Sequence, residues 1–181
     1  MLKIRTLSSD IEGEILNLGL KWLGGKENHE SWSFIFETCL RNHSITQDLL
    51  TKGIHWVFLN ENRKETPGIA FEIANYYDKI ILSERHRIHE WIKNWVYKGD
   101  YKNKSWTYGW AAYWKIMPTL DTVKLALKWI EVNPENLKGA TWIILTLIKE
   151  DRNDIIKRIT EWHEKHLDHP ISKIIKENLT E

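Results

Sequence analysis

Tryptophans recur along this chain at intervals of about 35 residues, and each is followed by a polar break and a new apolar segment. The recurring residues are Trp22, Trp56, Trp91, Trp129 and Trp162, which are 34, 35, 38 and 33 residues apart. In "WIEVNPENLKGATW", which begins at Trp129, one apolar run breaks at Asn-Pro and a second run follows. Self-similarity at a fixed period of this length indicates a repeat architecture.

Helical periodicity dominates the segments between the breaks. Ile11, Ile15, Leu18 and Trp22 recur at every third or fourth position, as one apolar face of a helix requires. Pro67 stands where the first turn of a helix tolerates a missing N–H. Only four prolines and nine glycines interrupt 181 residues, and no alternating strand pattern competes. We therefore expect an all-α chain of about ten helices joined by short connections.

A unit of two helices is too small to bury its own apolar stripe, so neighbouring units have to stack on it. The period therefore predicts one helical-repeat domain over residues 1–181, an α-solenoid of stacked antiparallel helical hairpins. Its approximate units are residues 8–43, 44–77, 78–116, 119–149 and 152–179. The phase leaves half units at both ends, which predicts either atypical terminal caps or a piece of a longer array.

Several short patterns resemble the tetratricopeptide-repeat superfamily of α-solenoids. They are the large-small-aromatic run Trp106, Gly109, Trp110 and Tyr113, the run Ala70, Ala74 and Tyr77, and the helices that start at Pro67 and Pro134. The resemblance extends from about Ser8 to Leu179 and lies in period and pattern. Most units lack the small residue expected in the middle of the first helix, so no subfamily is identified. The resemblance implies a right-handed superhelix and scaffold, adaptor or sensor work without catalysis.

Composition narrows the classes of function. Hydrophobic residues make up 42% of the chain, more than a disordered chain carries, and the formal net charge is +1. A near-neutral chain has no overall attraction to nucleic acid or anionic membranes. No apolar stretch of about 20 residues offers a membrane span, and the N-terminus has no signal-peptide core. The single cysteine, Cys39, excludes an intrachain disulfide and fits a reducing compartment, so we expect a cytoplasmic location and no membrane partner.

Basic and aromatic residues interleave in the middle of the chain. From Lys79 to Lys104, seven Lys or Arg stand against three Asp or Glu, and nine Trp or Tyr lie between Trp91 and Trp114. One helix face seldom buries so many rings, so some are expected at the surface, where Trp and Tyr are enriched at binding hot spots. The predicted partner-binding residues are Arg85, Arg87, Lys93, Trp95, Lys98, Tyr101, Trp106, Tyr108 and Trp114. The alternative that the rings fill seams between hairpins, and that the charges form a solvated face, stays open.

Two binding hypotheses follow from these residues. The first is a non-catalytic module whose concave side binds a protein or peptide, with no cofactor. The second is single-stranded nucleic-acid binding through the same residues, because basic and aromatic groups together suit that ligand. The oligomeric state is left open by both.

A third hypothesis is a metal-dependent enzyme. His163, His166 and His169 are three residues apart, and zinc accepts such nitrogen donors. The spacing does not match H-E-x-x-H, and histidines near a helix C-terminus are favoured there by the helix dipole. Cys39 lies in an apolar helix without a catalytic motif, which predicts a buried structural thiol. We therefore expect no catalytic residues and no metal site.

Overall fold

A computed structural model describes residues 9–42 and 45–179, and within these ranges the chain is all-α, without strands. For these described residues the predicted all-α class and the predicted number of helices are confirmed. The ten helices are α1 (Ser9–Leu23), α2 (Trp32–Asn42), α3 (Gln47–Leu59), α4 (Thr66–Ala74), α5 (Leu82–Lys98), α6 (Trp106–Ile116), α7 (Leu120–Val132), α8 (Leu137–Ile148), α9 (Asn153–Lys165) and α10 (Ser172–Leu179). A short 3-10 helix, Tyr77–Lys79, precedes α5. Residues 8, 43 and 44, where two predicted units begin or end, lie outside the described residues.

The chain divides into two compact units, Met1–Ile88 and His89–Glu181, and the division falls inside α5. Within the first unit, α2 packs against α1, α3 and α4, and α3 packs against α4. Within the second unit, each helix from α6 onward packs against the next helix and the one after it. In that unit α6, α8 and α10 therefore follow one another in one layer, and α7 and α9 form another.

No helix in the described ranges has both the length and the apolar character that crossing a membrane requires. The longest, α5, has 17 residues and carries charged side chains along its length.

The turns that close the helical hairpins share one backbone hydrogen bond. In each, the N–H of a residue donates to the carbonyl of the residue three positions earlier, which we call the turn-opening residue. The bond from His169 N to His166 O, between α9 and α10, is one example. The turn-opening residues are Lys26, Asn60, Asp100, Asn133 and His166. The recurrence means that the polar breaks in the sequence adopt similar local structures.

One of the five repeat positions differs from the sequence prediction. Tryptophan precedes the turn-opening residue by four positions in the turns after α1, α3, α7 and α9. In the turn after α5, Val96 holds this position and is fully buried, whereas Trp91 lies further back and stacks on Trp95. The place of Trp91 in the period is therefore corrected to Val96. The repeat unit that ends at this turn is longer than the others. Its additional residues lie before the turn, in the 3-10 helix and in the long α5.

Polar side chains at the turn-opening position cap the helix that ends there. Asn60, Asn133 and His166 each use a side-chain nitrogen to bind the carbonyl of the tryptophan four residues earlier. The distances are 2.7 to 3.0 Å. The last carbonyls of a helix have no partner within the helix, so these side chains supply one.

A second set of side chains caps the start of the following helix. The residue three positions after the turn-opening residue accepts a hydrogen bond from a backbone N–H two or three residues further on, at 2.9 to 3.2 Å. The acceptor and donor pairs are His29 and Ser31, Asn103 and Ser105, Asn136 and Gly139, and His169 and Ile171. These bonds satisfy N–H groups that helix starts leave unpaired.

Stacked tryptophans form much of the core near these turns. Trp32 of α2 stacks on Trp56 of α3 with ring centroids 4.8 Å apart. Trp106 of α6 stacks on Trp129 of α7 with centroids 5.8 Å apart. All four side chains are buried. Both pairs join the start of one helix to the end of the next, so tryptophan at these positions is explained by packing.

Candidate functional site

Two predicted binding residues lie inside the protein. Trp106 has no exposed surface, and its Nε1 donates to the carbonyl of Val96 at 3.2 Å. Trp114 is also buried, stacks on Trp110 and donates from Nε1 to Glu150 Oε1 at 3.2 Å. The predicted binding role of Trp106 and Trp114 is therefore corrected, because side chains that are 0% and 3% exposed offer a partner almost no surface.

Trp95 takes part in packing between α5 and α6 and keeps part of its surface exposed, so its predicted binding role stays a prediction. Its ring is half-buried and stacks on Trp91, with centroids 5.6 Å apart. A Cβ placed on Gly109 of α6 would lie 2.2 Å from the Trp95 ring. The indole therefore occupies the space that glycine leaves open, and Trp95 belongs to the contact between α5 and α6.

The two arginines of α5 support local structure in the first unit. Arg85 donates from its guanidinium to the carbonyls of Asp78 and Ile80, at 2.8 and 3.0 Å. It thereby holds the 3-10 helix against the start of α5. Arg87 binds both carboxylate oxygens of Glu84, at 2.9 and 3.0 Å. Both guanidinium groups are thus engaged with neighbours in their own unit.

The remaining members of the predicted set lie in the second unit. Lys93 is exposed and pairs with Glu90 at 3.4 Å, and Lys98 is exposed near the end of α5. Tyr101 is half-buried beside the Trp106 ring, and burial raises the pKa of its hydroxyl. Lys128 Nζ lies 5.5 Å from the centre of the Tyr101 ring, which is a favourable cation–π distance.

Tyr108 is the predicted aromatic residue that reaches a groove at the surface. It is 47% exposed and lies on the outer side of α6. Its ring is 5.7 Å from that of Trp142 of α8, at an angle of 52°. The two rings line a groove of about 520 Å³ between α6 and α8, which we call the α6–α8 groove. Its lining residues are Lys104, Thr107, Tyr108, Asn136, Lys138, Gly139 and Trp142.

The α6–α8 groove is positively charged. Lys104 and Lys138 are exposed at its edge, and none of its lining residues is an Asp or Glu. Asn136 Oδ1 accepts from the backbone N–H of Gly139, so the amide nitrogen of Asn136 is the group that it offers to a ligand. A Cβ on Gly139 would lie 2.8 Å from the Trp129 ring. Glycine at this position therefore allows the buried Trp129 ring to pack directly against the backbone that lines the groove.

Sequence reasoning missed the α8 side of this groove, although a signal is present. Lys104 precedes Tyr108 by four residues, and Lys138 precedes Trp142 by four residues. The two pairs are 34 residues apart, which is one repeat period. A lysine and an aromatic residue at the same spacing, one period apart, would have indicated neighbouring helices that present the same chemistry.

Of the three histidines in the metal hypothesis, His163 lies in the last turn of α9, and His166 and His169 lie in the turn between α9 and α10. His166 binds the carbonyl of Trp162, and His169 accepts from the N–H of Ile171. The Trp162 ring stacks on His166 at 4.3 Å and meets His169 edge-on at 5.4 Å. Within residues 9–42 and 45–179, no three His, Cys, Asp or Glu side chains form a group suited to a metal ion. His166 and His169 therefore have a structural role, because each forms a hydrogen bond with a backbone group at this turn.

Cys39 is a buried thiol on α2, as predicted. Its Sγ lies 2.8 Å from the position that a Cβ on Gly19 of α1 would take, so the two residues mark a close approach of α1 and α2. Burial raises the pKa of the Cys39 thiol. A protonated, buried thiol is a poor nucleophile.

No protein-family model matches this sequence, and no curated protein or solved structure is significantly similar to it.

Proposed function

We propose that this chain is a non-catalytic helical-repeat module, with a solenoid similar to that of tetratricopeptide repeats, which binds a peptide segment of a partner protein. The segment is extended and acidic, and it lies in the α6–α8 groove. One observation carries the proposal. Two lysine–aromatic pairs from neighbouring helices line one groove, which has no acidic side chain among its lining residues.

The chemistry of the groove indicates how such a peptide is held. The rings of Tyr108 and Trp142 offer apolar faces to side chains of the peptide, and aromatic anchors of this kind supply most of the affinity of an interface. Exposed ion pairs contribute only about 0.2–1 kcal/mol each, so Lys104 and Lys138 act mainly in specificity and association rate. Side chains of an extended peptide alternate, so acidic and apolar residues at alternate positions fit best.

A peptide fits this groove better than single-stranded nucleic acid. Two lysines neutralise about two phosphates, which corresponds to a salt dependence of only about −1.4 in log K against log salt. The chain as a whole adds little attraction, since its formal net charge is +1. Nucleic-acid binding is therefore the outcome that the experiment has to exclude.

Three observations support the solenoid part of the proposal. The same turn hydrogen bond recurs at five hairpins, and the second unit has the packing order of two layers. The lysine–aromatic pairs also repeat after one period. A cytoplasmic setting is part of the proposal, because Cys39 is a free thiol.

The test is a selection of random peptides displayed on phage against the immobilised chain, followed by titration calorimetry of the selected peptides. We expect enrichment of Asp and Glu beside aromatic or aliphatic residues. Tyr108→Ala should weaken binding by about tenfold or more. Lys138→Glu replaces an attraction by a repulsion and should weaken binding by about threefold to tenfold. Lys173→Glu is the control, because Lys173 is exposed on α10 and is not part of the groove lining. Circular dichroism checks that all variants keep the helical fold.

Two results would contradict this function. One is a set of selected peptides without acidic residues whose affinity is the same for Tyr108→Ala and Lys138→Glu as for the unmodified chain. The other is tight binding of a labelled single-stranded oligonucleotide that collapses with added salt, together with no selected peptide. The second result would move the assignment to nucleic-acid binding.

A further inference from the structure

The other layer of the second unit carries a separate groove, which lies between α7 and α9 and has a volume of about 410 Å³. We call it the α7–α9 groove. Its lining residues are Lys124, Leu127, Lys128, Glu131, Val132, Arg158, Glu161, Trp162 and Lys165. None of them lines the α6–α8 groove, so the two sites are separately testable.

The α7–α9 groove has apolar residues from both helices. Leu127 and Trp162 are buried, with 3% and 8% of their surface exposed, and Val132 at the end of α7 is 46% exposed. The Trp162 ring stacks on the His166 ring and meets the His169 ring edge-on. Val132 supplies most of the exposed apolar surface here, and the Trp162 ring contributes only its edge. Because these side chains are packed against their neighbours, they lose little side-chain entropy when a partner covers them.

The charges around this groove are unbalanced. Four of its lining residues are basic and two are acidic. Arg158 pairs with Glu161 at 3.2 Å, and Lys124 pairs with Asp121, which is not part of the lining, at 2.8 Å. Lys128 and Lys165 are exposed, one on each helix. The groove therefore presents positive charge on both sides of an apolar strip.

We propose that the α7–α9 groove is a docking site for an amphipathic α-helix of a partner protein, with an apolar stripe flanked by acidic residues. The apolar stripe lies over Val132 and the small exposed edge of the Trp162 ring, and the acidic residues face Lys128 and Lys165. Two helices packed side by side leave a groove that accepts the side-chain ridge of a third helix. Recognition of this kind uses apolar anchors at i, i+3, i+4 and i+7.

The two acidic lining residues favour a protein helix over a polyanion as the ligand of this groove. Glu131 and Glu161 would repel the uniformly charged backbone of a nucleic acid or the surface of an anionic membrane. A protein helix can place a small, polar or basic residue opposite each of them and still present carboxylates to the lysines. The proposal does not depend on peptide binding in the α6–α8 groove.

The experiment uses two fluorescein-labelled helical peptides that share one leucine stripe at i, i+3, i+4 and i+7. One peptide carries Glu beside the stripe, and the matched peptide carries Lys at the same positions. Binding to the full chain is followed by fluorescence anisotropy. We expect the Glu peptide to bind at least about tenfold more tightly, because the flanking lysines attract it. The double variant Lys128→Glu with Lys165→Glu should reverse this preference.

Further variants locate the contact. Val132→Asp should weaken binding of the Glu peptide by about tenfold, because it places a carboxylate on the apolar strip. Lys173→Glu, on α10 and outside the lining of both grooves, should leave that affinity unchanged. Equal affinity for the two peptides would overturn the proposal, as would a preference that the double variant leaves unaltered. A loss of binding in Lys138→Glu but not in Val132→Asp would also overturn it, because the helix would then occupy the other groove.

Discussion

The indole ring of Trp106 lies parallel to that of Trp129, with 5.8 Å between the ring centroids and 4° between the planes. Trp32 and Trp56 make the same kind of stack in the first unit, at 4.8 Å and 6°. Each pair joins the first turn of one helix to the end of the helix that follows it. The tryptophan repeat in the sequence is therefore largely a repeat of core contacts, and this assignment has testable consequences.

Trp106→Ala is expected to lower the free energy of unfolding. It is not expected to remove a contact with a binding partner. Deleting a buried tryptophan leaves a cavity and costs about 3–5 kcal/mol in the free energy of unfolding. Tyr108→Ala is the control, because Tyr108 is two residues away on the same helix and is half exposed; its cost should stay below about 1 kcal/mol. Urea unfolding followed by circular dichroism measures both. Similar costs for the two variants would contradict the burial of Trp106.

Gly109→Ala is expected to destabilise the second unit because the added methyl group would lie 2.2 Å from the Trp95 ring. Overpacking of this kind costs about 1–3 kcal/mol. Gly13→Ala should instead stabilise by about 0.5–1 kcal/mol, since Gly13 is a helical residue with open space around its Cβ position. Thermal unfolding compares the two variants with the unmodified chain. Adding Trp95→Ala to Gly109→Ala should remove part of the clash, and additive effects would argue against contact.

His169→Ala is expected to cost about 0.5–2 kcal/mol, because it removes the side chain that accepts from the N–H of Ile171. His169→Asn should keep most of the stability, since Asn103 and Asn136 occupy the same position in other turns and accept similar bonds. Differential scanning calorimetry distinguishes the two variants. Zinc that raises the melting temperature of the unmodified chain but not of His169→Asn would instead identify a metal site.

Glu37→Gln is expected to change the pH dependence of stability in a defined direction. Burial raises the pKa of the Glu37 carboxyl, with Arg41 opposing the shift and Glu72 adding to it. Because its pKa is higher in the folded state, Glu37 favours folding most at pH values below its pKa in the unfolded chain. This contribution is lost as the pH rises through the folded-state pKa. The variant should therefore gain stability relative to the unmodified chain as the pH rises from the ordinary glutamate range through the raised pKa of Glu37.

Urea unfolding of both proteins at several pH values measures this difference. Asp48→Asn is a suitable comparison, since Asp48 also pairs with a basic residue four positions away but is largely exposed. A difference between Glu37→Gln and the unmodified chain that does not change with pH would contradict the assignment, and so would a change of the opposite sign.

Local chemistry made most of the helices predictable. An apolar residue at every third or fourth position specifies a helix, and Asn-Pro or polar clusters end one, because these preferences act within a few residues. The turns after α3, α7 and α9 are predictable from the sequence for this reason. The α6–α8 groove was predictable only in part. Tyr108 belongs to the predicted set, whereas Lys138 and Trp142 do not, because they lie outside the dense aromatic segment and meet Tyr108 only through the packing of α6 against α8.

The sequence by itself determined the all-α class, the number of helices and the positions of most turns, since all of these depend on neighbouring residues. The tertiary structure alone decided which aromatic side chains are available to a partner. Trp106 is fully buried and Tyr108 is 47% exposed, although both lie on one helix that is aromatic on several faces. When more than one face of a helix is apolar, the packing of other helices selects the buried face. For the same reason Val96, and not Trp91, occupies the repeat position before the turn that ends α5.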